Sequence, residues 1–210
     1  MKTKIFNLII IDESGSMQSI KKEAVDNVNE TIQTIRSAQK KHEDQEHYVS
    51  LVSFNNDVKT IYECVPVNKV KELTEDTYCP DCFTALYDAM GISLNALRKM
   101  VSKDDKVLVT VVTDGEENAS NEYDGVAVKA LVDELKANGW VFAYIGANQD
   151  VEAVASKISI TNVMKFEATP IGVVAMGASV ASARSRLFDR IADCCFSADE
   201  ANEDFFDEEK

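Results

Sequence analysis

Short apolar runs alternate with longer stretches of helical period along most of the chain, which is how a βαβ protein with a mostly parallel sheet reads. Ile5 to Ile11 is apolar at every position but Asn7, as befits a central strand covered on both faces. Ile20, Ala24, Val28, Ile32 and Ile35 then recur at steps of three or four and predict a helix over 20–40 with a charged outer face. Tyr48 to Phe54 and Val58 to Val65 are strand-like and are joined by Asn55-Asn56-Asp57, residues that accept the positive φ of a tight hairpin. One antiparallel edge strand is therefore expected.

Leu86, Met90, Leu94, Leu97 and Val101 trace a second amphipathic helix, and Lys106 to Thr113 forms the most β-branched run of the chain. A third helix is expected over 122–138, closed by Gly139 as a left-handed cap, with the strand Trp140 to Ile145 behind it. A short helix around Val151 to Ile158 and a strand from Val163 to Phe166 come next. Thr169-Pro170 then supplies an N-cap and a proline at the first helical position, opening a last helix to about Cys194. The resulting order predicts an α/β fold: a Rossmann-like, doubly wound open sheet, mostly parallel with one antiparallel edge strand and helices on both faces. In such sheets ligands bind beyond the carboxyl ends of the central strands.

Charge and cysteine usage narrow the partners. The 210 residues carry a formal charge of -14, which opposes broad contact with nucleic acid. Acidic residues crowd around Phe205 and Phe206, so the chain divides into a domain over 1–196 and an acidic, flexible tail over 197–210. No apolar stretch approaches the roughly 20 residues that span a bilayer. Five cysteines, an odd count, suit a reducing compartment, and a cytoplasmic monomer without a membrane partner is the expectation. Cys79 and Cys82 form a C-x-x-C without a second matching pair and read as free thiols. His42 and His47 flank an acidic turn and read as exposed.

The chemistry gathers at the ends of two strands. The first closes in Asp12-Glu13-Ser14-Gly15-Ser16, the fourth in Thr113-Asp114-Gly115, and Thr84 opens the intervening helix. Alternation in an extended loop turns Asp12, Ser14 and Ser16 to one side, and Gly15 lets the backbone bend sharply. Hydroxyls and carboxylates without histidine or thiolate suit magnesium, calcium or manganese rather than zinc. Glu13, Glu116 and Glu117 lie near the mouth and are expected to be solvated.

These residues resemble the metal-ion-dependent adhesion site of the von Willebrand factor A (VWA) family: D-x-S-x-S on a first loop, a threonine on a second and an aspartate on a third. The resemblance spans roughly residues 5–166, and Val111 to Gly115 looks like that family's fourth strand and third loop. It implies that Ser14 and Ser16 bind the metal directly, Thr84 directly or through water, and Asp12 and Asp114 through water. Mg2+ is the implied cofactor, with Mn2+ or Ca2+ as substitutes, and a position is left for an Asp or Glu carboxylate of a protein partner. Cys79-Pro80-Asp81-Cys82-Phe83 stands where many members have a glycine-rich turn.

The expected function is therefore a non-enzymatic adaptor or adhesion-type domain. The alternative is a magnesium-dependent phosphotransferase or phosphatase with Asp12 as nucleophile. Against it, the D-x-D of haloacid-dehalogenase enzymes is missing, because Ser14 occupies the second aspartate's place. Neither G-x-G-x-x-G nor G-x-x-x-x-G-K-[ST] occurs, which removes the common nucleotide-binding loops.

Overall fold

A computed structural model describes residues 2–147 and 150–207. Its strands are β1 (Thr3–Asp12), β2 (Gln45–Phe54), β3 (Val58–Pro66), β4 (Lys106–Thr113), β5 (Trp140–Gly146) and β6 (Asn162–Lys165). The helices are α1 (Lys21–Lys41), α2 (Leu86–Leu97), α3 (Gly125–Ala137), α4 (Val151–Lys157), α5 (Pro170–Ala192) and α6 (Ala198–Asp204), and a 3-10 turn over Gly15–Ile20 leads into α1. The sheet order is β3-β2-β1-β4-β5-β6, with β2 and β3 antiparallel and the other neighbours parallel. The fold class is the one the apolar pattern predicts.

β1 sits at the centre, and its alternation feeds two cores. Ile5, Ile9 and Ile11 pack under α1 and α5, while Phe6, Leu8 and Ile10 pack under α2 and α3. Each fully buried side chain of this size contributes about 1.5–3 kcal/mol relative to exposure, and a one-residue slip of β1 would exchange the two apolar sets and turn Asn7 away from Arg184. α1 and α5 approach closely because Gly177 has no side chain: a Cβ there would lie 2.6 Å from the Asn27 amide nitrogen. That amide instead donates to the Val173 carbonyl at 2.8 Å. The polar exception in β1, Asn7, is buried and accepts from the Arg184 guanidinium of α5 at 3.1 Å.

Several boundaries differ from expectation for identifiable reasons. α3 starts at Gly125 rather than near 122, because the Asp88 carboxylate takes the N–H groups of Asn121, Glu122 and Tyr123 at 2.7–2.9 Å and holds them outside helical geometry. Asp124 then caps the helix by accepting from Ala127 N. Gly139 has φ +86 and closes α3 as expected. The Asn55–Asp57 turn departs from the reading: none of its residues has positive φ, and the Asn55 side chain instead accepts from Asp57 N at 3.0 Å. His47 is buried rather than exposed, edge-on to Phe188 and bonded to the Gln45 side chain.

The segment after 197 also departs from a solvated tail. Ser197 caps α6 through Glu200 N, and Ala201, Asn202 and Phe205 are buried. β6 pairs only with Ala143 to Gly146, which leaves the first half of β5 without a strand on that side. The Asn202 amide fills this gap, accepting from Phe142 N at 3.0 Å and donating to the Trp140 carbonyl at 2.8 Å. Asn162 ties the same corner by donating to the Phe142 and Ala201 carbonyls and accepting from Phe205 N. An acidic composition hid this helix, because its docking face is one amide and two small or aromatic residues. Glu208 and Glu209, part of the same acidic run, lie outside the described residues.

Asn202→Ala should cost about 2–4 kcal/mol in urea unfolding, since it strands a buried N–H and a buried C=O at once. An unchanged midpoint would mean that α6 is not docked in solution.

Candidate metal centre

The strand order reverses between β1 and β4, and the crevice beyond their carboxyl ends receives three loops. The first is the Asp12 to Ser16 turn. Asp12 is fully buried, with Oδ1 accepting from Ser14 N at 2.7 Å and Oδ2 accepting from Thr113 Oγ1 at 2.5 Å. Ser14 and Ser16 hydroxyls lie 3.1 Å apart, and Ser16 Oγ donates to Asp114 Oδ1 at 2.6 Å. Ser14 is buried whereas Ser16 is exposed, so the pair reaches from the floor to the mouth.

Thr84 enters from the second loop. Measured from where a Cβ on Gly115 would sit, Thr84 Oγ1 is 2.9 Å away, Asp12 Oδ2 3.6 Å and Ser14 Oγ 3.7 Å. Oxygens from the first and second loops thus face one point above Gly115 of the third, a residue with no side chain. Together with the Ser16–Asp114 bond, the structure brings all five sequence-derived residues into one constellation. Its donors are two carboxylates and three hydroxyls. Among the described residues no group of three His, Cys, Asp or Glu side chains gathers to hold a metal, so a cation at this point would rest on hydroxyls as well as carboxylates. Hard oxygens of this kind suit Mg2+, Mn2+ or Ca2+.

Residues that do not face this point hold it in place, and sequence reasoning missed them. Thr84 is clamped on both backbone sides by Asn118, whose Oδ1 accepts Thr84 N at 2.9 Å and whose N–H donates to Thr84 O at 3.0 Å. The β2–β3 turn braces the flanks: Asn56 Oδ1 accepts from Phe83 N, and the Asn55 carbonyl accepts from Ala85 N. Glu13 and Glu117 are structural rather than solvated. Glu13 is buried and takes Cys79 N at 2.5 Å, while Glu117 takes the N–H groups of Tyr87, Ala119 and Ser120. Glu116 is exposed, as expected. Tyr78, wholly buried, donates its hydroxyl to the Asp12 carbonyl.

The second loop does without a glycine-rich turn because other groups supply its shape. Cys82 itself takes a left-handed conformation, φ +67, and its carbonyl accepts from Gly15 N at 3.1 Å. Asp81 N donates to the Glu13 carbonyl. Cys79 and Cys82 are free thiols and exposed, and Phe83 is 63% exposed at the rim.

Electrostatics favour a cation. Burial raises the Asp12 carboxyl to about 6, against the lowering effect of its bonds from Thr113 and Ser14, with Asp114 adding repulsion. Asp114 is raised as well, chiefly by burial, while Ser16 pulls it down. Two carboxylates are therefore held where water cannot fully stabilise their charge, and a bound cation would relieve both.

The VWA family profile, "von Willebrand factor type A domain", matches residues 8–170, and the chain belongs to that family. No curated protein matches in sequence. Among solved structures, the chain is similar to the PilB minor pilin from Streptococcus sanguinis at 12% identity and TM-score 0.59, covering 89% of this chain and 62% of the pilin. The SpRpn10 VWA domain is similar at 13% identity and TM-score 0.60, covering 83% of this chain and 93% of that domain. Proximal thread matrix protein 1 from the mussel byssus, in a form with a zinc-occupied MIDAS motif, is similar at 14% identity and TM-score 0.57, covering 88% and 46%. The chain therefore spans less than two thirds of the pilin and less than half of the byssus protein, and at these identities the likeness is one of fold. No helix of the described residues is long and apolar enough to cross a membrane.

Because the folded pKa of Asp12 exceeds its ordinary value, this group's contribution to stability is fully present below about 3.8 and is lost as pH rises through about 6. Metal-free wild type should gain up to about 3 kcal/mol relative to Asp12→Asn between pH 7.5 and 4. His47, held near 4 by burial and by Arg184, works in the opposite direction but is common to both proteins. A pH-independent difference between the two would show that Asp12 is not desolvated.

Proposed function

We propose that the protein is a divalent-metal-dependent binding domain that holds Mg2+ through Asp12, Ser14, Ser16, Thr84 and Asp114 and grips an Asp or Glu carboxylate of a protein partner. The observation that carries this reading is the convergence of Asp12, Ser14 and Thr84 oxygens on one point above Gly115. When bound, the ion supplies a concentrated positive charge with room for an incoming carboxylate. The hydroxyls leave that charge largely unneutralised, the buried carboxylates anchor it, and Asn118 keeps Thr84 in reach. Exposed Ser16 and Phe83 form the rim that a partner meets first.

Domains of this family are in general interaction modules, which supports an adaptor or adhesion-type role over catalysis. Asp12 is badly placed for the alternative role of phosphoryl acceptor, since both its oxygens accept hydrogen bonds in a fully buried position. The mussel protein's zinc-occupied motif supports ion binding at this type of site and makes the ion's identity a matter for direct competition between Mg2+, Mn2+, Ca2+ and Zn2+. We read the protein as a cytoplasmic monomer that binds protein rather than nucleic acid, in keeping with its charge of -14.

Calorimetric titration with MgCl2 should show one site in the wild type, and Ser14→Ala or Asp114→Ala should weaken it at least tenfold while the far-UV spectrum is unchanged. Gly115→Ala should do the same by placing a methyl group among the donors. Affinity capture with wild type in magnesium, compared with chelator and with the two variants, should lose one partner in all three controls. Full magnesium affinity in Ser14→Ala and Asp114→Ala would remove the proposal, as would turnover of a generic phosphate ester that Asp12→Asn abolishes.

A further inference from the structure

Against the face of β1 and β4 that α5 covers, α5 buries a cation that the structure does not neutralise. Arg184 is 1% exposed, lies between α5 and the sheet, and is among the largest fully buried side chains. Its Nη1 donates to Asn7 Oδ1 at 3.1 Å and its Nη2 to Thr110 Oγ1 at 2.8 Å, both neutral acceptors. Its Nε has no partner, although a guanidinium carries five N–H donors in a fixed fork. No salt bridge among the described residues reaches it.

The surroundings of the guanidinium are dry and, apart from Arg184, without charge. Burial lowers the Arg184 pKa to about 10, which still leaves it charged at neutral pH. The buried imidazole of His47 is depressed to about 4 by burial and then by Arg184 itself, so it stays neutral and adds no negative charge. Charged groups buried in protein are normally paired, because an isolated one loses its hydration without compensation. Here the compensation by protein is two neutral oxygens.

Arg184 and Thr110 also line a small cavity of about 30 Å3 between α1, α5 and the sheet, with Asn27, Thr31, Ile9 and Val180 among its other walls. Roughly 10–15 Å3 measured this way holds one water, so the chamber admits one or two water-sized bodies. It is too small for sulfate, phosphate or a carboxylate metabolite. Its walls offer no anionic group, so a bound cation would meet only Arg184.

We propose that this chamber is a binding site for one small monatomic anion of the chloride class, held by the Arg184 guanidinium beside Thr110 as the missing counter-ion. The anion accepts from the guanidinium N–H groups that protein leaves unused, and the small apolar volume excludes polyatomic or strongly hydrated anions. None of the proposed metal-binding residues lines the chamber, although Ile11 and Met17, next to Asp12 and Ser16, do.

The test uses the full chain in chelator, so the metal reading does not enter. Crystals grown in sodium bromide should show an anomalous peak within hydrogen-bond distance of the Arg184 guanidinium. In solution, the melting midpoint should rise with chloride, relative to gluconate at equal ionic strength, by roughly 3–6 °C at a tenfold excess over Kd. Arg184→Met should abolish that difference while keeping any general salt effect. Should the variant fail to fold, the bromide map on wild type decides alone. A chamber that refines as water with no anomalous signal at high bromide overturns the proposal, and so does an identical chloride response in a folded Arg184→Met.

Discussion

The carboxyl edge of the sheet is organised around one carboxylate that has been taken out of water. Asp12 ends β1 at the point where strand order reverses, fully buried, and the bonds from Thr113 and Ser14 only partly compensate its lost hydration. That residual cost has to be met by positive charge or by a proton. The neighbouring Asp114 sharpens the demand, and the hydroxyls of Ser14, Ser16 and Thr84 can shape a site without satisfying it. Such an arrangement is what the proposed hard-cation site would require.

Rigidity around this carboxylate comes from backbone groups caught by polar side chains in neighbouring loops. Asn118, Asn56, Glu13 and Glu117 each take N–H groups from another segment, so that the first, second and third loops and the β2–β3 turn form one hydrogen-bonded rim. Such bonds cost little flexibility in the helices below, because the loops and not the core carry them. The second loop is the least orthodox part, with Cys82 in a left-handed conformation where a glycine would be more comfortable. Its carbonyl is spent on Gly15 N, which locks the D-x-S-x-S turn against it.

Much of this was legible from residue order. The alternation in β1, the β-branched run of β4, the Thr169-Pro170 start and the Gly139 stop report local preferences that the tertiary structure reinforces. The five oxygen-bearing residues were legible because strand ends converge in an open sheet whatever the loop details. Other features were hidden because they depend on distant partners. Nothing near Asp88 in sequence says that it will hold the start of α3 open, and the polar Asn7 makes sense only with distant partners, the Tyr48 carbonyl and Arg184, the latter 177 residues away. The buried His47 and the docked α6 escaped for a related reason: polarity along the chain suggested solvent, whereas single hydrogen-bonded partners made burial tolerable.

The Asn202 amide has a consequence for the society of molecules rather than for one fold. An unpaired stretch of β5 would present alternating donors and acceptors to any other extended chain, the template on which strand exchange and fibril growth begin. Capping that stretch with a side chain from α6 leaves only the four-residue β6 open on this flank. At the opposite flank β3 is irregular in register and shows Lys59 and Glu63 to solvent. A concentrated solution of this protein is thereby denied two flat, complementary borders along which copies could stack.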